Sequence, residues 1–320
     1  MTRFLLGRGA GAAAVLLAKS FVIFALIGLM PGDPVDLLMT ANPDATPSDI
    51  AHLRAMYGVD QPILERWGRW LAAAVHGDLG YSRLLHRPVL EVVLPALGNT
   101  LLLTGLAFVL STTAAVLLGT LAAVRRGTWL DRGINLFAYA GISLPSFWLG
   151  LLFIYLFAVR LGVLPAGGMP RLEQPWPAWS YLVLPVTTLV IVEIGGLARF
   201  TRSAMLDVLG QDFIRTAHAK GLGPLRVVVR HVMRNGLIPV VTVVALAIGH
   251  LFSGALLIET MFAWRGMGRL TLEAIMGNDY NLALVCLLFT TIMIVLGNLL
   301  ADLAYTWLDP RIALSGRRAR

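Results

Sequence analysis

The chain has 320 residues, of which 57% are hydrophobic and only 14% are charged. A soluble domain carries about 25% charged residues, so the composition excludes an ordinary soluble protein and predicts an integral membrane protein. The formal net charge is +8, but in a membrane-spanning chain the positions of the basic residues matter more than their sum, and a nucleic-acid partner is excluded. Cys286 is the single cysteine, which excludes an intramolecular disulfide and a cysteine metal cluster.

Runs of about 20 mainly apolar residues predict membrane-spanning helices. The runs are residues 9–30, 95–124, 134–163, 179–198, 237–261 and 282–307. The first run is too long for the apolar core of a signal peptide and lacks a following small-residue cleavage site, so we expect it to be retained. The sequence therefore predicts an all-α polytopic membrane protein with about six transmembrane helices.

Basic residues cluster at one set of span ends, and the positive-inside rule places such ends in the cytoplasm. They are Arg3, Arg8, Arg125, Arg126, Arg132, Arg199, Arg202, Arg215, Lys220, Arg226, Arg230, Arg234, Arg311, Arg317, Arg318 and Arg320. An even number of spans agrees with this assignment. We therefore expect cytoplasmic N and C termini, a cytoplasmic loop at 199–236 and an outer-side segment at 31–94.

The outer segment 31–94 is expected to be a cap of short helices. Thr46 and Pro47 predict a helix start, and Gly58 predicts its end. Trp67 and Trp70 belong to a second predicted helix, and paired tryptophans are typical of a helix lying on the membrane surface.

The basic loop contains a predicted helix–break–helix unit. Residues 212–220 (DFIRTAHAK) predict a helix of about two turns. Gly221, Gly223 and Pro224 break it and start a second helix, with Pro224 in the first turn. We expect such a unit to transmit movement, because its short exposed helix can dock on a cytoplasmic partner while it is joined rigidly to the spans.

The second helix has two predicted faces. Apolar residues at helical spacing form one face: Leu225, Val228, Val229 and Val232. Arg226, Arg230 and Arg234 repeat every four residues on another, where like charges repel by about 0.2–0.5 kcal/mol per pair. The basic face indicates an anionic contact, either acidic membrane lipid or a protein partner.

The runs FIRTAHAKGL and HVMRNGLIP resemble the cytoplasmic EAA loop of ABC importer permeases, in particular those of the oligopeptide, dipeptide and nickel importers. Gly221 holds the glycine position of that pattern and Ala217 its second alanine. Arg215 stands where the general pattern has glutamate, a departure typical of the peptide-type branch. His218 replaces an arginine often found there.

Further motifs of the same branch follow in the same order over about 300 residues. They are PGDPV at 31–35, MYGVDQP at 56–62, GDLGYS at 77–82, AAVRRGTWLD at 122–131, SLPSFWLGL at 143–151 and LDPR at 308–311. One motif alone would be weak, but the ordered set is specific.

The resemblance implies the type I ABC importer permease fold in the bacterial cytoplasmic (inner) membrane. The chain would be one permease domain, residues 1–320, with a first span at 9–30, a five-span core at 95–307 and a cytoplasmic tail at 308–320. The implied partners are a second related permease, two cytoplasmic ABC ATPases and an outer-side substrate-binding protein. ATP and Mg²⁺ belong to the ATPases: this chain has no Gly-x-x-x-x-Gly-Lys-Ser/Thr loop and needs no cofactor.

The resemblance also implies two sets of site residues. Those that would fit a groove on the ATPase are Arg215, Thr216, Ala217, His218, Ala219, Lys220, Gly221 and Leu222. Those that would support this coupling loop are Arg230, His231, Arg234, Asn235 and Pro239.

Charged residues within or near the spans are candidates for the translocation path: Lys19, Glu193, Glu259 and Asp302. Two interpretations are open for each, namely contact with the solute, or a structural contact with a neighbouring helix, the partner permease or, for Lys19, the membrane surface. No catalytic residue is predicted, and no histidine forms a metal-binding i, i+4 pair with another ligand.

The predicted function is permeation of peptides, dipeptides or oligopeptides, driven by separate ATPases. Nickel or another small solute is the alternative within the family. An ion-coupled secondary transporter is the alternative of a different class, but the halves 1–160 and 161–320 show no convincing repeat. An intramembrane enzyme ranks last, because Asp302 has no obvious catalytic partner.

Overall fold

The computed structural model describes residues 2–28, 61–170, 176–250 and 255–308, with the side chains of 2–6, 248–250 and 302–308 left out. The helices are α1 (Thr2–Gly28), α2 (Ile63–Val75), α3 (Val89–Val124), α4 (Trp129–Ser143), α5 (Ser146–Phe153), α6 (Ser180–Leu209), α7 (Asp212–Ala219), α8 (Pro224–Val227), α9 (Arg234–His250), α10 (Ala255–Met261), α11 (Met267–Met276) and α12 (Tyr280–Leu308). A short antiparallel hairpin pairs β1 (Tyr81–Ser82) with β2 (Arg87–Pro88). Two π-helical segments, Ile154–Arg160 and Val228–Met233, continue α5 and join α8 to α9.

The prediction of about six spans is confirmed. Among the described residues, five helical stretches are long and apolar enough to cross a membrane, and the bent pair α4–α5 makes a sixth if it counts as one span. The five are Gly7–Gly28, Val89–Val124, Ser180–Leu209, Pro224–Ala247 and Tyr280–Ala301.

The third predicted span, 134–163, is not the continuous helix that the sequence suggested. α4 ends at Ser143, and α5 with its π extension turns away from α4 by 104°. Pro145 explains the break, because proline lacks an amide hydrogen and disfavours helical geometry at the residue before it. Leu144 is accordingly extended, with φ −87° and ψ 128°.

Two other predicted boundaries are also wrong. α6 runs on to Leu209, so Arg199 and Arg202 lie on this helix instead of in a loop starting at 199. The helix continues past the expected boundary because Thr201, Ala204 and Met205 are buried there. The fifth predicted span, 237–261, starts too late, because its helical stretch begins at Pro224; residues 251–254, between α9 and α10, lie outside the described residues.

The chain divides into two compact units. The larger comprises Leu97–Arg269 and the residues from Met293 onward. Helices α3, α6 and α10 supply most of its main apolar core: Leu103, Ala107, Tyr181, Leu184, Val186, Leu189, Ile258, Phe262 and Trp264. α4 packs so closely on α6 that a Cβ at Gly141 would lie 2.5 Å from the Ile191 carbonyl oxygen. Glycine is therefore required at this helix crossing.

The smaller unit comprises Thr2–Ala96 and Leu270–Ile292. Its predicted second helix exists as α2, and it packs on α1. Trp67 Nε1 donates to Ser20 Oγ at 3.2 Å, and the Trp67 ring lies edge-on to Phe21 with centroids 5.5 Å apart. The predicted helix start at Thr46 and Pro47 and its end at Gly58 lie outside the described residues.

Candidate functional site

α7 is the short helix predicted from the sequence, and it stands on an apolar base. Ile214 and Ala217, three residues apart, are 3% and 5% exposed. They belong to a buried cluster that also contains side chains from α3, α6 and the segment after α7: Ala123, Met205, Val227 and Val232. The cluster fixes α7 to three parts of the larger unit at once.

The rest of the α7 surface is exposed and mainly polar, with Phe213 as an exposed aromatic residue at 43%. The exposed residues predicted for coupling are Arg215, Thr216, His218, Ala219, Lys220 and Gly221, whereas Leu222 is half-buried. Arg215 Nη1 lies 3.3 Å from Asp212 Oδ1, but both side chains are largely exposed. Such a surface pair contributes little to stability, so these groups are available to a partner.

Gly221 ends α7 in a Schellman motif. Its N–H donates to the carbonyl of His218 at 2.9 Å, and the N–H of Leu222 donates to the carbonyl of Ala217 at 3.3 Å. Gly221 has φ +77°, a left-handed conformation that favours glycine. The Leu222 side chain then packs against the buried cluster, which fixes the direction in which the chain leaves α7.

The second helix starts at Pro224 as predicted, but its apolar face differs from the prediction. Leu225 and Val229 are 76% and 57% exposed, whereas Val227 and Val232 are buried. The π-helical segment Val228–Met233 explains the difference, because its wider turn brings residues five apart to one side. The uniform α-helical spacing therefore predicted that Val229 is buried, whereas the structure buries Val227.

The predicted supporting residues lie on this second helix. Arg230, Arg234, Asn235 and Pro239 are exposed and His231 is half-buried. Asn235 Nδ2 donates to the His231 carbonyl at 2.8 Å, which is a contact within one helical turn.

An ion pair between α4 and α6, with its carboxylate buried, was not predicted from the sequence. Arg202 on α6 contacts both carboxylate oxygens of Asp131, from Nε at 2.7 Å and Nη2 at 2.8 Å. Asp131 also accepts from Gly127 N at 2.9 Å and Asn135 Nδ2 at 2.7 Å. The signal was present in the motif at 122–131, where Thr128 caps α4 and an acidic residue follows three positions later.

Glu259, a candidate for the translocation path, is fully buried in the larger unit. Its carboxylate accepts from the Thr100 hydroxyl and from the N–H of Arg269 at 3.1 Å, near the start of α11. Thr100 Oγ1 also accepts from Met267 N at 2.7 Å. These contacts favour the structural interpretation, in which Glu259 holds the turn between α10 and α11 against α3.

The other candidates for the path have different settings. Glu193 is an exposed residue of α6 whose carboxylate accepts from Ser111 Oγ at 2.9 Å. Lys19 is exposed on α1. Asp302 falls in α12, but its side chain lies outside the described residues.

Comparison with known proteins connects this architecture to a family. Residues 115–314 match the family described as the inner membrane component of binding-protein-dependent transport systems, and residues 1–104 match the N-terminal family of the same components. A putative peptide transport system permease protein of Brucella abortus is 39% identical over 313 residues, covering 98% of this chain and 99% of the relative. The oligopeptide transport system permease protein AppB of Bacillus subtilis is 34% identical over 316 residues, covering 98% and 99%.

The fold also resembles that of a solved transporter. A chain of the MetNI methionine ABC transporter in an inward-facing conformation aligns with a TM-score of 0.57 and 17% identity, covering 69% of this chain and 98% of that one. At this identity the likeness establishes the fold alone. Together with the sequence matches over nearly the whole chain, it shows a multi-pass inner membrane protein with an ABC importer permease fold. The chain belongs to the family of inner membrane components of binding-protein-dependent transport systems.

Proposed function

We propose that this chain is a permease subunit of an ATP-driven importer for peptides delivered by an outer-side binding protein. In this assembly it pairs with a second, related permease and with two cytoplasmic ABC ATPases, which bind ATP and Mg²⁺. The termini and the loop carrying α7 lie in the cytoplasm.

The observation that carries the proposal is the two-sided construction of α7. Ile214 and Ala217 fasten the helix to the larger unit, while Arg215, His218 and Lys220 face outward. An ATPase that binds the exposed side of α7 would therefore move the buried cluster beneath the helix as well. Because Met205 of α6 belongs to that cluster, movement of α7 reaches a membrane-spanning helix directly.

The peptide assignment is supported by relatives that match almost the whole chain. The Brucella abortus and Bacillus subtilis proteins are named as peptide and oligopeptide permeases, and each aligns over 98% of this chain. The departures from the general EAA pattern, among them Arg215 in place of glutamate, agree with the same branch.

The test is affinity purification of the tagged chain from its native membrane, followed by reconstitution of the purified assembly with its binding protein in liposomes. We expect two ATPases and a second permease in the assembly and ATP-dependent uptake of a radiolabelled dipeptide or oligopeptide. Uptake of ⁶³Ni²⁺ in place of peptide would contradict the peptide assignment. Recovery of the chain alone, in detergent that keeps a known ABC importer intact, would contradict the importer assignment.

A further inference from the structure

Helix α6 is packed around most of its circumference but leaves one face uncovered. Exposed residues recur on this face every three or four positions, as on one side of an α-helix. They are Glu193, Gly196, Phe200, Ser203 and Asp207, and together they form what we call the open face of α6.

The remaining faces of α6 are covered by other helices of the larger unit. Ile194 and Ala198 pack with Ala115 of α3 in a small buried cluster. The Ile191 carbonyl touches α4, and Met205 is fully buried beneath α7. The open face is therefore the main uncovered part of this helix between residues 193 and 207, and the exposed Arg199 lies at its edge with its guanidinium 4.1 Å from the centre of the Tyr139 ring of α4.

The Glu193 carboxylate on the open face is unsuited to contact with lipid acyl chains. At 1.5 Å per residue, Glu193 lies about 24 Å from the end of α6 at Leu209, near the middle of a helix about 45 Å long. The hydrocarbon core of a bilayer is about 30 Å thick, or about 20 helical residues, and Glu193 lies within the predicted span 179–198, so we expect this exposed carboxylate at the depth of the acyl chains. A charged side chain at that depth is costly unless it faces protein or a water-filled cavity.

Many exposed positions on α3 and α4 are apolar, although α1 also exposes one charged residue, Lys19. Leu117 on α3 is 60% exposed and Leu136 on α4 is 71% exposed, as expected for surfaces that meet acyl chains. Within the predicted span 179–198 the open face of α6 instead carries Glu193 and Gly196, and beyond it Phe200, which is 40% exposed, Ser203 and Asp207 continue the face. Ser111 Oγ donates one hydrogen bond to Glu193 at 2.9 Å, and one hydroxyl replaces only part of the hydration of a carboxylate.

We propose that the open face of α6 lines the path of the transported solute and that Glu193 contacts a positively charged ammonium group of that solute. The inference rests on the proposed function as an importer and adds the chemistry that the path recognises. Gly196 leaves room beside the carboxylate, since no atom lies within 4 Å of the place where its Cβ would be. Ser203 and Asp207 continue the polar surface towards the end of the helix.

Cysteine accessibility tests the path directly. The native Cys286 is fully buried, so the wild-type chain provides a low background. Gly196→Cys, with Phe200→Cys as a second variant, is made in the assembled transporter in liposomes and treated with a charged, membrane-impermeant thiosulfonate reagent. Leu117→Cys is the matched control for an exposed, lipid-facing position.

We expect the reagent to modify the open-face cysteines but not the control, and a transported peptide to slow the modification. Modification of the open-face cysteines only by a membrane-permeant maleimide would assign the face to lipid. Protection from both reagents, with crosslinking to the second permease, would assign it to a subunit interface. Either of these results overturns the proposal.

Selective uptake tests the role of Glu193. Glu193→Gln keeps the shape of the side chain and removes its charge. Uptake of a lysine-containing and a glutamate-containing tripeptide is measured for this variant, and each value is divided by wild-type uptake of the same peptide, which cancels the preference of the binding protein. We expect the lysine-to-glutamate ratio to fall about fivefold, on the scale of one solvent-accessible ion pair.

The control is Glu91→Gln, which removes an exposed carboxylate near the start of α3 from its ion pair with Arg87 of β2 and should leave the ratio unchanged. An unchanged ratio for Glu193→Gln overturns the assignment to an ammonium group. If the proposed function is wrong, the result is different, because the wild-type assembly then imports no peptide at all. The cysteine experiment still shows in that case whether water reaches the open face.

Discussion

Arg202 and Asp131 form a two-point contact in which the guanidinium Nε and Nη2 lie 2.7 and 2.8 Å from the two carboxylate oxygens. The pair ties the start of α4 to α6 about one turn before Met205, which is part of the buried cluster beneath α7. α4 is therefore attached to α6, one of the two long helices that share the buried cluster with α7. A movement that a docked ATPase imposes on α6 through α7 would therefore be passed to α4 by this ion pair.

Replacing Arg202 with methionine should destabilise the chain by about 3–5 kcal/mol, because the Asp131 side chain is only 6% exposed and would keep a buried charge without its partner. Arg202→Lys should cost less, since it keeps the charge but loses the two-point geometry. The free energy of unfolding in mixed micelles measures both. If the pair acts as one unit, adding Asp131→Asn to Arg202→Met should cost little more, and full additivity of the two losses would contradict direct coupling.

Gly221→Val should disrupt the end of α7, because valine is strained at φ +77°. We expect ATP hydrolysis by the assembly to continue while peptide uptake falls at least about tenfold, as the Schellman motif aligns α7 with its base. Gly223→Val is the matched control: Gly223 is exposed, extended at φ −61°, and has open space at its Cβ position. Equal uptake by the two variants would show that the left-handed turn does not matter for coupling.

The two sides of α7 should respond differently to mutation. Ile214→Ala removes a side chain that is 3% exposed and should cost about 2–5 kcal/mol locally, which hydrogen exchange over residues 212–219 would detect as faster exchange. Lys220→Glu changes an exposed residue and should leave that exchange unchanged while weakening binding of the ATPase. Strong ATPase binding by Lys220→Glu would place the partner contact elsewhere.

Glu259→Gln should loosen the turn between α10 and α11. The amide group of glutamine keeps one acceptor oxygen but places hydrogens where the other carboxylate oxygen accepts, so one of the bonds from Thr100 and from the N–H of Arg269 is lost and a loss of about 1–3 kcal/mol is expected. Thermal unfolding of the purified chain measures it. Glu91→Gln, at a carboxylate that is 56% exposed, should leave the melting temperature almost unchanged.

The sequence predicted the helical class, the number of spans and the start and end of α7, because each depends on local signals. Apolar runs mark spans, and the glycine at 221 marks the left-handed end of a helix. The bend at Pro145 was not predicted, because proline is tolerated inside some membrane helices and its presence alone does not predict a bend of 104°.

The contacts between distant residues could not be predicted in the same way. Asp131 and Arg202 are 71 positions apart, and Thr100 and Glu259 are 159 apart, so their pairing depends on how helices pack. The π-helical segment at Val228–Met233 was likewise not predicted by a uniform helical spacing, and it shifts which valines are buried. The open face of α6 became visible only once its other faces were known to be covered.

Site-specific photocrosslinking from position 219 in native membranes tests the central claim most directly, since Ala219 is exposed at the end of α7. A photoreactive amino acid replaces Ala219, and Val75, which is 78% exposed at the end of α2, serves as the control position. We predict a covalent adduct with an ABC ATPase from position 219 and none from position 75. Absence of an ATPase adduct at position 219, in membranes where the assembled transporter is active, would contradict the assignment of α7 as the ATPase-docking helix.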